Sequence, residues 1–79
     1  MQARNIIKNG IYKHNKGKYY KVIGIGRQTN TLDENVIYSA LYNDSQYGKN
    51  ALWIRKLEEF NGEVIDSNGN IMKRFELKK

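Results

Sequence analysis

The sequence contains no cysteine, no proline and no long hydrophobic run. Without cysteine, a disulfide framework and a thiolate metal site are excluded, so packing must stabilise a chain of only 79 residues. No apolar run approaches the roughly 18 residues that a membrane-spanning helix needs, and the first ten residues lack a signal-peptide core. We therefore expect one small cytoplasmic domain over residues 1–79 with no membrane partner, and we expect residues 1–9 to fray.

Acidic residues are missing from the first third of the chain. Residues 1–28 carry a net charge of +7, whereas the remaining residues carry −1. Clustered cations attract anions and speed their arrival, which indicates an anionic partner. An alternative stays open, because small domains also use charge for solubility and exposed strands often carry lysine.

Short apolar segments separated by polar turns predict β-structure along the whole chain. The predicted strands are residues 11–13, 18–25, 36–42, 51–55, 63–66 and 71–77. The segment 14–17 and the Asn-Gly pair at 68–69 predict hairpins. Gly24 and Gly26 indicate a bend or bulge. Residues 43–50 predict a flexible polar connection.

Leu57–Phe60 has the apolar spacing of one helical turn and is too short for more. Many short strands without a long helix are typical of small barrels. We predict an all-β fold, a small SH3-like barrel of five to six strands with one short helical turn.

The third and fourth predicted strands each present two different faces, because alternate residues in a strand point to opposite sides. One face is aliphatic and contains Ile37, Leu41, Leu52 and Ile54. If this set packs inward, the opposite face exposes Tyr38, Tyr42, Trp53 and Arg55. Tyr12 and His14 share one parity and are expected to join that face, whereas a slip of one residue would reverse the assignment.

Aromatic rings beside arginine and a lysine-rich hairpin suit a ligand with both a flat ring and a negative charge. Base stacking contributes roughly 1–3 kcal/mol per base, and arginine pairs with two phosphate oxygens at once. The predicted ligand-binding residues are Tyr12, His14, Lys16, Tyr38, Tyr42, Trp53 and Arg55, with Lys18, Lys21 and Arg27 as supporting cations. In the alternative interpretation, the tyrosines and the tryptophan complete the core.

The sequence lacks the motifs that are typical of catalysis, metal binding and cofactor binding. His14 is the only histidine, and no serine lies in a nucleophile elbow. Gly24-Ile25-Gly26 lacks the further residues of a phosphate loop, and residues 66–70 lack the distal glutamate of a calcium loop. We predict a non-enzymatic binding module for a nucleotide or single-stranded nucleic acid. The alternative is a protein-interaction or self-association module using the same aromatic face, because Tyr, Trp and Arg are also enriched at interface hot spots.

Three ordered motifs cover much of the chain after Asn9: Gly-x-Tyr-x-His-x-Lys-Gly at residues 10–17, Tyr-x-Ala-Leu-Tyr at 38–42 and Leu-Trp-x-Arg-x-Leu-x-x-Phe at 52–60. With Arg74-Phe75 near the end, they resemble a family of small bacterial and phage-borne proteins known only as a domain of unknown function. Lys56 replaces the family's usual proline, and Gln28 stands where members commonly have a second histidine. The resemblance implies no activity, but it places the seven predicted ligand-binding residues in the family's motifs.

Overall fold

A computed structural model describes residues 6–79 of the chain. Within this range the elements are β1 (Ile11–His14), β2 (Tyr19–Arg27), β3 (Glu34–Ala40), β4 (Asn43–Asp44), β5 (Gly48–Lys49), β6 (Leu52–Lys56), α1 (Leu57–Phe60), β7 (Glu63–Ile65), β8 (Ile71–Lys73) and β9 (Phe75–Leu77). The predicted single helical turn is confirmed at Leu57–Phe60.

The main sheet has five antiparallel strands in the order β6-β3-β2-β1-β9. Four strands follow one another as a meander, and the last strand, β9, returns to pair with the first. Two small hairpins, β4-β5 and β7-β8, complete the described strands. The all-β prediction is confirmed, with β6 and β9 as the two edges of the main sheet.

The structure refines three details of the predicted strands. The register of β2 against β3 shifts between Val22 and Gly24, which confirms an irregularity near the glycines. The predicted strand 71–77 is divided at Arg74, because β8 pairs with β7 whereas β9 pairs with β1. The predicted flexible connection contains the β4-β5 hairpin.

The buried face of the sheet is the reverse of the one predicted. Tyr38 is only 5% exposed, whereas Leu52 and Ile54 are 67% and 69% exposed. The buried hydrophobic cluster comprises Tyr12, Val22, Val36, Tyr38, Leu57, Phe60 and Phe75. The expectation that the aliphatic set packs inward is therefore wrong. The physical reason is that α1 and β9 bring Phe60 and Phe75 against the aromatic side of the sheet, where their rings stack at 4.0 Å.

The segment before β1 is held against the sheet. Ile6 packs against the buried cluster. The backbone N–H of Ile7 donates to the Tyr12 hydroxyl at 3.0 Å, and that of Asn9 donates to the carbonyl of Val22 at 2.8 Å. Residues 6–9 are therefore part of the folded domain, whereas residues 1–5, the start of the segment expected to fray, lie outside the described residues. Among residues 6–79, no helix has the length and apolarity needed to cross a membrane.

Candidate functional site

The hairpin between β1 and β2 positions the only histidine of the chain. His14 ends β1, and the turn closes through hydrogen bonds from Gly17 N to His14 O and from His14 N to Lys18 O, both at 2.8 Å. Gly17 adopts a φ of 105°, which glycine tolerates without steric strain. The Lys16 backbone N–H donates to His14 Nδ1 at 3.1 Å, so the neutral imidazole carries its proton on Nε2.

Tyr20 lies at the centre of the aromatic contacts on the inner face. Its ring meets Tyr38 at 5.2 Å, Tyr42 at 5.6 Å, Phe75 at 5.8 Å and His14 at 6.3 Å, each edge to face. The hydroxyls of Tyr20 and Tyr42 share a hydrogen bond of 2.9 Å. Burial and then this hydrogen bond raise the pKa of Tyr20 well above its usual value. The Tyr20 hydroxyl therefore stays protonated.

Arg55 projects from β6 onto the same inner face and is held by two aromatic residues. Its Nε donates to the Tyr38 hydroxyl at 3.3 Å, and its guanidinium lies 5.7 Å from the centre of the Phe75 ring. One terminal nitrogen is 3.9 Å from the Glu59 carboxylate, a pair that is partly exposed. Exposed ion pairs contribute at most about 1 kcal/mol. The cation is thus positioned mainly by Tyr38 and Phe75.

A second arginine lies near His14, because the backbone N–H of Asn15 donates to the Arg74 carbonyl at 2.8 Å. Arg74, between β8 and β9, donates its Nε to the Glu59 carbonyl at 3.0 Å. Burial lowers the pKa of His14, and the positive charges of Arg55, Arg74 and Lys16 lower it further. These four residues therefore share one region of positive potential.

We call this region the basic aromatic cluster and define it by residues from four parts of the chain: the β1-β2 hairpin, the residues after β3, β6, and the start of β9 with the residue before it. Lys18 lies at its rim, with Nζ 4.6 Å from the centre of the Tyr42 ring. The members of the cluster are His14, Lys16, Lys18, Tyr20, Tyr42, Arg55, Arg74 and Phe75. Chemically, the cluster offers guanidinium, ammonium, imidazole and hydroxyl donors, all of which suit an anion.

Trp53 lies two residues before Arg55 on the same face of β6. Its indole is half-buried and packs against the core. The exposed Tyr47 ring, from the turn between β4 and β5, lies nearly perpendicular to the indole, with the two ring centres 5.4 Å apart. The indole N–H is buried and has no hydrogen-bond partner within the described residues. Trp53 thus contributes to the core while lying at the border of the cluster.

Comparison with known families identifies the chain. The sequence profile of DUF1653, described as a protein of unknown function, matches residues 10–77. The chain belongs to the DUF1653 family. A crystal structure of a DUF1653 protein from Bordetella bronchiseptica has a TM-score of 0.78 and 28% sequence identity, covering 94% of this chain and 88% of that chain. No curated protein matches the sequence.

The structure of this DUF1653 protein places the predicted ligand-binding residues in two groups. His14, Lys16, Tyr42 and Arg55 lie in the basic aromatic cluster, and Trp53 lies at its border. Tyr12 and Tyr38 are core residues, each only 5% exposed. Their hydroxyls accept hydrogen bonds from Ile7 N and Arg55 Nε respectively. They can position the cluster but cannot offer a ring face to a ligand.

The three supporting cations are also divided. Lys18 joins the cluster, whereas Lys21 pairs in register with Ser39 and Ile11 on the opposite parity of β2. Arg27 lies at the far end of β2. It donates to the Leu32 carbonyl at 2.7 Å and lies 3.7 Å from the Glu34 carboxylate. Neither Lys21 nor Arg27 extends the cluster.

Sequence reasoning missed three members of the cluster as site residues. Tyr20 stands opposite Tyr12 in the hairpin register, so the parity that selected Tyr12 could have found it. Arg74 and Phe75 stood out only as a family motif. Their approach to His14 depends on β9 returning to β1, where Phe75 pairs with His14.

Position 28, where members of the family commonly have a second histidine, is remote from His14. His14 flanks the start of β2 and Gln28 follows its end, and the intervening strand has nine residues. A strand of that length spans about 30 Å. Gln28 instead lines a groove of about 310 Å³ with Gly26, Ile37 and Ile54, on the face opposite the cluster.

Proposed function

We propose that this DUF1653 protein is a non-enzymatic binding module whose basic aromatic cluster binds an anionic, base-containing ligand, a nucleotide or a single-stranded nucleic acid. The observation that carries the proposal is the approach of two arginines to one residue: Arg74 donates to the Glu59 carbonyl at 3.0 Å, and Arg55 lies 3.9 Å from the Glu59 carboxylate. The Phe75 ring lies between Arg55 and His14, with its centre 5.7 Å from the guanidinium and 4.9 Å from the centre of the imidazole. The Glu59 carboxylate offsets part of the positive charge that the two arginines bring together, and an anionic ligand would offset more of it.

Arg55 is prepared for such an anion. Its Nε is already used by the Tyr38 hydroxyl, and Phe75 supports its guanidinium. The terminal nitrogens keep the planar geometry that pairs with two phosphate oxygens. Because Arg55 is already positioned, binding requires less ordering of its side chain.

The aromatic residues supply the second half of the proposal. Trp53 lies two positions before Arg55 on the same face of β6, Tyr47 contacts Trp53, and the Lys18 ammonium lies over the Tyr42 ring. A base that stacks on one of these rings contributes roughly 1–3 kcal/mol. The hydroxyls of Tyr20 and Tyr42 share one hydrogen bond and retain capacity for a ligand oxygen.

Titration of the purified protein with nucleotides, cyclic dinucleotides and oligonucleotides at low salt tests the proposal, with calorimetry and Trp53 fluorescence as readouts. We expect a probe to bind the native chain and Lys56→Ala equally, because exposed Lys56 is the neighbour of Arg55 on the opposite parity of β6. Arg55→Ala should weaken binding about 10- to 100-fold, since hydrogen bonds to charged groups contribute about 1.5–3 kcal/mol. The absence of both heat and fluorescence change with every probe would contradict the proposal.

A second candidate function is self-association through the β6 edge of the sheet. Leu52 and Ile54 on β6 are exposed apolar residues, and one side of this strand has no neighbour among the described strands. Edge strands with exposed apolar residues are surfaces for pairing with another chain. This observation favours the edge of the sheet over the aromatic face for contacts between copies.

A further inference from the structure

We infer that the ligand of the basic aromatic cluster is a free nucleotide whose phosphate is held at one point between Arg55, Arg74 and His14, rather than a continuous nucleic-acid strand. This inference rests on the proposed function and narrows its ligand class. It depends on where the cations converge and on where the remaining cations lie.

The two arginines meet around a single residue. Arg74 donates to the Glu59 carbonyl at 3.0 Å, and Arg55 lies 3.9 Å from the Glu59 carboxylate. The Nε of each arginine is occupied by a protein oxygen, so the terminal nitrogens are the donors that remain for a ligand. His14 lies beside both arginines: its ring centre is 4.9 Å from that of Phe75, over which Arg55 lies, and the backbone N–H of the next residue, Asn15, donates to the Arg74 carbonyl at 2.8 Å. Two arginines and a histidine from three separate parts of the chain are thus close enough to contact one phosphate group together.

The remaining basic residues of the first third do not form a continuous row of positive charge that starts at this phosphate position. Lys13 lies 5.9 Å from the Tyr19 ring, on the parity opposite His14. Lys21 shares that outer face through its pairing with Ser39, and Arg27 is engaged by Leu32 and Glu34 at the far end of β2. A single-strand site needs a groove of positive charge that follows several phosphates. Here the charge is divided between two faces.

The aromatic side of the site matches one base. Trp53 and Arg55 are two positions apart on β6 and share a face, which places their Cα atoms about 7 Å apart. One indole next to one phosphate position accommodates a single nucleotide unit. Tyr47, on the turn between β4 and β5, contacts the indole with the two ring centres 5.4 Å apart.

The test compares adenosine, AMP and deoxythymidine oligomers of about 4 and about 12 nucleotides, lengths within the usual range of single-strand sites. Calorimetric titrations are carried out over a series of salt concentrations. We expect AMP to bind about 10- to 100-fold more tightly than adenosine, because only AMP makes charge-assisted hydrogen bonds. We also expect the affinity of the oligomers to rise with length only in proportion to the number of nucleotides that can occupy the single site.

Two arginine variants provide matched controls. Arg74→Gln should lower AMP affinity about tenfold or more, whereas Arg27→Gln should leave it unchanged. Arg74→Lys keeps the positive charge and therefore tests the contribution of that charge to phosphate binding. Near-UV circular dichroism reports the packing of each variant and therefore detects a loss of folding.

The outcomes distinguish this inference from the proposed function. An affinity that rises steeply with oligomer length, with a salt dependence that grows in parallel and a loss on Arg27→Gln, overturns the free-nucleotide inference while retaining the binding module. Equal binding of AMP and adenosine also overturns it. Failure of every probe to bind removes the proposed function itself.

Discussion

Threonine substitutions at Val36 and Ile54 test which face of the sheet is buried. Both changes keep a β-branched side chain, so strand propensity is nearly preserved. Val36 is fully buried, whereas Ile54 is 69% exposed. The two positions lie on adjacent strands, β3 and β6, and on opposite faces. The comparison therefore isolates burial from the other properties of the sheet.

The expected magnitudes follow from the two environments. Threonine at position 36 is nearly the size of valine and leaves little cavity, but it buries a hydroxyl, which costs about 1–3 kcal/mol when no partner is available. Threonine at position 54 exposes its hydroxyl to water and should change stability by less than about 0.5 kcal/mol. The larger chemical deletion is thus expected to have the smaller effect.

Urea unfolding monitored by far-UV circular dichroism measures the difference, at a protein concentration where the chain is monomeric. With an m-value of about 1 kcal/mol/M for a chain this small, Val36→Thr should lower the midpoint by roughly 1–3 M and Ile54→Thr by less than about 0.5 M. A domain of 79 residues has a stability of about 4–12 kcal/mol, so the first loss is a large fraction of the total. Equal losses, or a greater loss for Ile54→Thr, would refute the assignment of the buried face.

Two further predictions concern protonation and assembly. Burial, together with Arg55, Arg74 and Lys16, lowers the pKa of His14 below 6.5, so protonation favours the unfolded chain. The free energy of unfolding should therefore fall as the pH drops below about 6.5, and His14→Gln should flatten this part of the profile in urea unfolding; an unchanged slope contradicts the argument. If β6 mediates self-association, sedimentation velocity should detect a concentration-dependent dimer that Leu52→Lys abolishes, whereas a native chain that stays monomeric at every concentration excludes this assembly.

Local sequence signals predicted the strands and turns well, because those signals depend on neighbouring residues. The hairpin around residues 14–17 and the Asn-Gly turn at 68–69 form as predicted. The Asp66 carboxylate supports the second turn by accepting the backbone N–H groups of Asn68 and Asn70, each at 2.9 Å. Leu57–Phe60 forms the predicted helical turn. None of these features requires a distant part of the chain.

The candidate site was predicted only in part. Alternation correctly grouped Trp53 and Arg55 with Tyr38 on one face of the sheet. It could not show whether that face is buried or exposed, because alternation separates the side chains into two faces without telling which face is covered. Tyr12 and Tyr38 were therefore assigned to a ligand surface although they are buried. Arg74 was not predicted, because the residue that it contacts, Glu59, lies 15 positions earlier in the chain, before the β7-β8 hairpin.

The sequence by itself determined the all-β class, the short elements, the membership of each face and the excess of positive charge before residue 29. Only the tertiary structure decided that the aromatic face is covered, since this depends on α1 and on the return of β9 to β1. That return also brings Phe75 and Arg74 to His14 and Arg55. Local propensity sets the direction of alternate side chains, but burial depends on which distant segment packs against them.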